Sequence, residues 1–262
     1  MSNYDRNAYA QFGSGTVRAG AAEYDMGLRA YMLGIYNHMT LALAISALVA
    51  LGASMLAVAP DASSAVARMG GVYLTAFGAA VYGSPLKWVV MLAPLAFVFF
   101  LSFRFERMSY GALLGTFWAF AATMGLSMGS IFLVYKLGSI VQVFFVTAAA
   151  FGGLSLFGYT TKRNLSAMGS FLMMGLIGLV IAGLVNIFLQ SSILQFAISA
   201  IGVLVFAGLT AWDTQRLKEE YDVVSGDTVM AQKASVMGAL TLYLNFINMF
   251  QMLLSLFGQR NN

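Results

Sequence analysis

The chain alternates long apolar runs with short polar connections. A helix needs about 20 mostly apolar residues to cross the hydrocarbon of a bilayer. Seven runs are of this kind, and they cover residues 32–58, 86–103, 112–134, 139–159, 167–189, 193–212 and 234–257. The pattern predicts an all-α polytopic membrane protein with seven transmembrane helices.

Residues 65–83 form a weaker apolar stretch that contains Arg68 and four glycines. We expect an interfacial or re-entrant loop here rather than an eighth transmembrane helix. Seven helices with a cytoplasmic N-terminus place ten lysines and arginines on the inner side and four on the outer side. This asymmetry is the one that membrane proteins favour, whereas an eighth helix at 65–83 would disrupt it.

The N-terminal region is polar and of mixed charge up to about residue 31. A cleavable signal would place a short apolar core within this region, and none is present. We therefore expect residues 1–25 to form a flexible cytoplasmic tail and residues 26–262 to form a single membrane domain.

The amino-acid composition excludes several classes of function. Of the 262 residues, 60% are apolar and only 9% are charged, against about 25% charged in soluble domains. This excludes an ordinary soluble enzyme and a nucleic-acid-binding module. The chain has no cysteine, one histidine (His38) and no HExxH motif, so the histidine-dependent and zinc-dependent intramembrane proteases are excluded. We expect neither an enzyme nor a bound cofactor.

Polar residues recur at helical spacing inside three of the runs, and such residues usually face protein or a wet cavity. For the serines and threonines, hydrogen bonds between helices are the simpler explanation. Asn245 and Asn248 lie near the middle of the seventh run, where two amides are costly to bury. They favour a central helix that lines a polar path.

Asp213 directly follows the sixth apolar run. A carboxylate at this depth is either functional or paired, although a position near the helix end also fits a solvated side chain. Arg104, Arg107 and Arg216 are the candidate partners.

Four stretches together resemble the bacterial branch of the Bax inhibitor-1 (transmembrane Bax inhibitor motif) family. They are WAFAATMGLSMGSIFLVY (118–135), FGYTTKRNLSAMGSFLMMGLIGLVIAGLVNIFL (157–189), AWDTQRL (211–217) and LYLNFINMFQMLLSLFG (242–258). The resemblance implies six helices around a central seventh. It also implies a pH-sensitive calcium-leak channel in which aspartates of the sixth and seventh helices share protons. The sixth-helix aspartate corresponds to Asp213, and the arginine that latches it corresponds to Arg104 or Arg107.

This chain departs from that pattern at Asn245, which stands where the family has its second aspartate. Two neighbouring carboxylates can exchange a proton, whereas a carboxylate and an amide cannot. We therefore expect altered pH gating. Asp213 alone makes a poor site for Ca²⁺, which prefers six to eight oxygen ligands, so any Ca²⁺ or H⁺ bound in the path is transient.

The resemblance also leaves an alternative function open. Some bacterial relatives modulate a membrane-anchored ATP-dependent protease. The chain is then a non-conducting regulatory membrane protein, and its N-terminal tail is the expected contact with the partner.

Overall fold

The structure is a computed structural model that describes the backbone of residues 4–69 and 71–261 and the side chains of residues 24–69 and 71–261. Its elements, in chain order, are α1 (Tyr4–Ala57), β1 (Ala67–Met69), β2 (Val72–Leu74), α2 (Ala76–Gly78), a π-helical turn (Ala79–Gly83), α3 (Leu86–Arg104), a 3-10 turn (Phe105–Arg107), α4 (Tyr110–Met128), α5 (Ile131–Val134), α6 (Leu137–Thr160), α7 (Ser166–Leu189), α8 (Ser192–Val224) and α9 (Thr228–Phe257).

The prediction of seven transmembrane helices is confirmed. Within the described part of the chain, seven helical segments are long and apolar enough to span a membrane. They are Tyr24–Ala57, Leu86–Arg107, Tyr110–Val134, Leu137–Thr160, Ser166–Leu189, Ser192–Val224 and Thr228–Phe257. The last two are longer than the predicted runs because each continues as a helix through polar residues at one end.

The predicted tail of residues 1–25 falls almost wholly on residues whose side chains lie outside the described set. Its flexibility and its cytoplasmic location therefore stay predictions.

Residues 59–85 contain a small hairpin, and the expectation that 65–83 forms no eighth span is confirmed. β1 and β2 pair antiparallel, with Ala67 opposite Leu74. The Thr75 side chain donates to the carbonyl oxygen of Leu56 at 2.6 Å, which ties the hairpin to the end of α1. Tyr82 donates to the carbonyl oxygen of Leu126 at 2.9 Å, and burial raises the pKa of Tyr82 to about 12.

The last helix is the central one. In the most apolar stretch of α9, 56% of the residues are buried, compared with 11% in the corresponding stretch of α7. α9 packs directly against α1, α4, α6 and α8, while α3 packs mainly on α4 and α7 mainly on α8. The predicted central position of the seventh transmembrane helix is therefore confirmed, but the ring around it is uneven, because four of the six other helices supply most of its contacts.

The bundle has two distinct ends. What we call the Asp213 end holds the end of α3, the α6–α7 and α8–α9 connections and the end of α8. The hairpin end holds β1, β2, the α5–α6 connection and residues 258–261. There the backbone nitrogen of Lys136 donates to the Gln259 carbonyl oxygen at 2.8 Å, and that of Asn261 donates to the Val134 carbonyl oxygen at 2.8 Å. The chain end is thus bonded across the α5–α6 connection.

Some glycines on α4 let a neighbouring helix approach closely, and others do not. A Cβ added to Gly125 would lie 2.5 Å from the carbonyl oxygen of Ser46 on α1, whereas one added to Gly115 would meet nothing within 4 Å. Next to this contact, the Ser46 hydroxyl donates to the Ala121 carbonyl oxygen at 2.7 Å and is bonded to the Tyr243 hydroxyl at 2.6 Å. Gly125 therefore allows α1, α4 and α9 to meet.

We expect Gly125→Ala to lower the thermal unfolding midpoint of the protein in detergent, because overpacking costs about 1–3 kcal/mol. Gly115→Ala on the same helix is the matched control. It leaves the midpoint unchanged or raises it, since alanine gains up to about 1 kcal/mol of helix propensity over glycine. Equal shifts for the two variants would contradict the close approach at Gly125.

Candidate functional site

Asp213 lies on α8, near the point where this helix leaves the apolar layer. α8 has 33 residues and a length of about 50 Å, which exceeds the ~30 Å of hydrocarbon. Asp213 lies about 32 Å from the first residue of the helix by the same rise per residue. The carboxylate is thus close to the hydrocarbon boundary at the Asp213 end rather than at the middle of the bilayer.

The Asp213 carboxylate is buried, and each of its oxygens accepts one hydrogen bond. The Asn245 side-chain nitrogen on α9 donates to Oδ2 at 2.7 Å. The Arg216 guanidinium donates to Oδ1 at 2.9 Å. Only 4% of Asp213 and 6% of Asn245 is exposed. The structure therefore brings together the aspartate and the asparagine that the sequence singled out on separate helices.

Arg216 differs from Asn245 in its exposure. Its side chain is 48% exposed, and the guanidinium lies 5.2 Å from the centre of the Trp212 ring. Because the Asp213 carboxylate is buried, loss of either donor would leave one of its oxygens unpaired, at a cost of about 1–3 kcal/mol. Asn245 is the buried donor, whereas Arg216 also faces solvent.

Arg104 and Arg107 are both exposed and do not pair with Asp213. The ion pair of Asp213 with Arg216 is the one that the described side chains form. The Lys233 ammonium donates to the Glu106 carbonyl oxygen at 3.1 Å, which places the end of α3 beside the start of α9, about 18 Å of helix before Asn245. The latch role that the resemblance implies for Arg104 or Arg107 stays a prediction, with no contact in this conformation.

Several polar side chains inside the membrane-spanning helices are bonded to their own helix, and Asn248 of the predicted polar path is one of them. Asn248 donates to the Leu244 carbonyl oxygen at 2.8 Å. On α4, Thr116 and Thr123 donate to the carbonyl oxygens of Ala112 and Ala119, each at 2.8 Å. A polar side chain satisfied by the preceding turn needs neither a cavity nor a second helix. The spacing of these residues therefore does not mark a path.

A second polar cluster lies at the hairpin end of the α8–α9 interface. Ser199 on α8 donates to Ser255 on α9 at 3.0 Å, and Gln195 donates to Ser199 at 3.3 Å. The Asn186 side chain on α7 donates to Gln195 at 3.2 Å. Asn245 and Ser255 are about 15 Å apart along α9.

Between these two polar clusters, the buried side chains are largely apolar. They include Phe206 and Leu209 of α8 and Met249 of α9, and Thr210 is a buried polar exception. Neither of the two cavities described below is lined by Asp213, Asn245 or Asn248. The α8–α9 interface is thus polar toward both ends and largely apolar between them.

Hydroxyl groups also link three helices beside Asp213, and the sequence did not indicate them. Tyr36 on α1 is bonded to Ser155 on α6 at 2.7 Å, and Ser155 is bonded to Thr214 on α8 at 3.0 Å. Thr214 donates in turn to the Thr210 carbonyl oxygen at 2.8 Å. The residues lie far apart along the chain, so only knowledge of which helices are neighbours could have found the link.

The amide of Gln215 connects α8 to the α6–α7 connection. Its oxygen accepts from the backbone nitrogen of Leu165 at 2.8 Å, and its nitrogen donates to the Arg163 carbonyl oxygen at 2.9 Å. Three successive side chains therefore attach α8 to three different parts of the bundle. They are those of Asp213, Thr214 and Gln215.

Metal ligation has little support at this site. Among the side chains of residues 24–69 and 71–261, no three acidic or histidine groups come together in a way that could hold a metal ion. Asp213 supplies two oxygens, both already hydrogen-bonded.

We expect Asn245→Leu to lower the unfolding midpoint, because it leaves one oxygen of the buried Asp213 carboxylate without a donor, at a cost of about 1–3 kcal/mol. Asn248→Leu on the same helix is the control. It removes only a bond to a carbonyl oxygen of α9 itself and changes the midpoint little. Thermal unfolding in detergent measures both variants, and a larger loss for Asn248→Leu would contradict the assigned geometry.

Comparison with known proteins agrees with this architecture. Residues 28–262 match the family model described as inhibitor of apoptosis-promoting Bax1. A protein of Caulobacter vibrioides is 45% identical over 236 residues, which cover 89% of this chain and 90% of that protein. The inner membrane protein YbhL of Escherichia coli K12 is 44% identical over 235 residues, which cover 89% of this chain and 93% of YbhL. Protein RP147 of Rickettsia prowazekii is 42% identical over 239 residues, which cover 91% and 93% of the two chains. With a match over nearly its whole length and seven membrane-spanning helices, the chain belongs to the Bax inhibitor-1 family.

Proposed function

We propose that this protein is a cation leak channel of a bacterial inner membrane, and that the structure represents its closed conformation. The observation that carries the proposal is the buried Asp213 carboxylate at the α8–α9 interface, which is held by a neutral amide and by an exposed arginine. The inner-membrane location rests on the similarity to YbhL. We place the N-terminus and the Asp213 end in the cytoplasm because most lysines and arginines flank the helices at that end.

The Asp213 site is built so that one partner can leave while the other stays. Loss of the half-exposed Arg216 exposes a negative charge at the cytoplasmic mouth, where it attracts cations. Asn245 keeps its bond to the carboxylate and holds it in place. The guanidinium regains water on release, which offsets part of the cost of leaving Asp213 Oδ1 without its donor.

Opening further requires a change in the apolar part of the α8–α9 interface. A hydrophobic constriction blocks ions by excluding water, and it conducts once it is wide enough to be wetted. The two polar clusters at its ends give an ion or water molecule partners on either side. We infer that α8 and α9 separate by a small amount in the conducting state.

The occupant of this path is a monovalent cation or a transient Ca²⁺ rather than a tightly held Ca²⁺. The one carboxylate and one amide supply fewer oxygens than the six to eight that Ca²⁺ prefers. Because Asn245 has no proton to exchange, the site lacks the proton sharing of a carboxylate pair. The leak should therefore depend only weakly on pH.

We expect Asp213→Asn to reduce cation flux, because it removes the negative charge buried at the α8–α9 interface while it preserves the shape of the side chain. Flux of K⁺ and Ca²⁺ into proteoliposomes measures the effect, with Asn248→Ala as a control that leaves the Asp213 site intact. A parent protein that passes neither cation above empty vesicles would refute the channel proposal.

We expect Asn245→Asp to make the flux strongly pH-dependent. It places a second carboxylate within hydrogen-bond distance of Asp213, so that the pair can share a proton that it loses as the pH rises. The same flux assay, run over a pH series, compares this variant with the parent. An unchanged pH profile would show that the Asp213 site does not control conduction.

The closed apolar interface favours a second candidate, a non-conducting regulatory protein that modulates a partner such as a membrane-anchored ATP-dependent protease. In that case the parent shows no flux at any pH, and a partner co-purifies with it. Deletion of residues 1–25 should release this partner, since the tail is its expected contact. Retention of the partner after the deletion would rule out the tail.

A further inference from the structure

The central helix is not fully enclosed between α1 and α6. Both helices pack on α9, while direct contacts between α1 and α6 are sparse. Two cavities open in this gap. One lies toward the hairpin end and has a volume of about 300 Å³, and the other lies toward the Asp213 end and has a volume of about 560 Å³. Both volumes lie within the roughly 300–1,000 Å³ of small-molecule sites.

The cavity toward the Asp213 end, which we call the Arg29 groove, runs between one charged residue and an apolar interior. Its walls include Met32, Leu33 and Met39 on α1 and Phe151 and Leu156 on α6. Leu33 is 49% exposed and Leu156 is 63% exposed. Because both belong to membrane-spanning segments, the groove opens sideways into the lipid.

Polar groups are spread along the Arg29 groove. Tyr36 and Ser155, which are bonded to each other, contribute to its lining, and so does Tyr159. Arg29 lies one to two helical turns beyond Tyr36 and also lines the groove. It forms no ion pair with any carboxylate that the structure describes, including Asp25 one turn earlier on the same helix.

The depth of Arg29 matches the headgroup level of a bilayer. Ser155 lies about 27 Å from the start of α6, and Arg29 is about 10 Å further along α1 than Tyr36, the partner of Ser155. Measured from the hydrocarbon edge at which α6 begins, the sum of about 37 Å lies about 7 Å beyond the opposite edge of the ~30 Å hydrocarbon, and each headgroup layer is about 5–8 Å thick. Tyrosines such as Tyr36 and Tyr159 are enriched at this level.

We propose that the Arg29 groove binds a membrane phospholipid, with the phosphate on the Arg29 guanidinium and one acyl chain along Met32, Met39 and Phe151. A guanidinium pairs with phosphate through two parallel hydrogen bonds. The apolar walls then receive the chain, and the Tyr36 and Ser155 hydroxyls lie beside the ester region. The bound lipid belongs to the leaflet at the Asp213 end.

The cavity toward the hairpin end lacks such an anchor. Its lining is apolar except for Ser46, whose hydroxyl is already bonded to Ala121 and Tyr243. Acyl chains can cover it, but no charged group there would select a headgroup. The assignment of a phospholipid therefore applies to the Arg29 groove alone.

The site also lies next to the Asp213 carboxylate. Ser155, in the wall of the groove, is bonded to Thr214, the residue that follows Asp213 on α8. A lipid in the groove therefore contacts the three-helix link of Tyr36, Ser155 and Thr214. Its binding does not require that the protein conducts ions, and the test below does not measure conduction.

Two adjacent glycines on α6 provide the test. Gly152 lines the groove, whereas Gly153 does not, and a Cβ added at either would meet nothing within 4 Å. Gly152→Leu therefore fills the groove without a clash, and Gly153→Leu is the matched control. The full-length protein is reconstituted in phosphatidylethanolamine vesicles that contain a minor fraction of phosphatidylglycerol with a photoactivatable acyl chain. After illumination, mass spectrometry locates the labelled residues.

We expect labels on residues 32–39 and 151–156 in the parent and in Gly153→Leu, and loss of most of this labelling in Gly152→Leu. Labelling of the exposed face of α7, at Phe171 and Phe188, should be the same in all three proteins. Equal labelling of the groove in both leucine variants, or groove labelling no stronger than that of α7, would overturn the proposal.

The headgroup contact is tested by competition. Unlabelled phosphatidylglycerol should reduce groove labelling of the parent more than diacylglycerol, which has the same chains but no phosphate. In Arg29→Gln this difference between the two competitors should disappear, while an acyl chain still enters the groove. If diacylglycerol competes as well as phosphatidylglycerol in the parent, Arg29 does not bind the phosphate.

Discussion

A carboxylate near the edge of the hydrocarbon must be matched by donors, and in this protein the buried donor comes from the central helix. The hydrogen bond from Asn245 to Asp213 joins α9 to α8, whose mutual contact is the most extensive in the bundle. Because Asn245 is neutral, it holds the carboxylate without cancelling its charge. The remaining charge is balanced by Arg216, which is half in solvent. The α8–α9 interface thus combines a permanent bond with an exchangeable one.

The fold was largely predictable because lipid limits the alternatives. A membrane-crossing segment must satisfy its own backbone, so an apolar run of sufficient length becomes a helix. The helix ends were less predictable. The polar ends of α8 and α9 continue as helix beyond the apolar count because they are capped and packed there, as at Asp227, whose side chain accepts from two backbone nitrogens of α9.

The contacts of the site were only partly predictable. Asp213 and Asn245 could be singled out because charged and amide side chains are costly in a membrane. Arg216 was a candidate among three, and its position one turn after Asp213 on the same helix favoured it. Hydrogen bonds between helices were expected for the threonines, but Thr116 and Thr123 of α4 bond to the preceding turn of their own helix. The link of Tyr36, Ser155 and Thr214 carried no sequence signal, because periodicity shows which face of a helix is polar but not which helix it meets.

The pairing of residues 259–261 with the α5–α6 connection has a mechanical consequence. Backbone hydrogen bonds fasten the hairpin end of the central helix to the α5–α6 connection. Its other end is held to α8 mainly through side chains. If α9 tilts about this fastened end, the largest displacement will fall at its start, Thr228, about 44 Å away, whereas Asn245 at about 18 Å will move less. A small rotation of one helix would then be enough to alter the mouth of the bundle while the opposite surface stays in place.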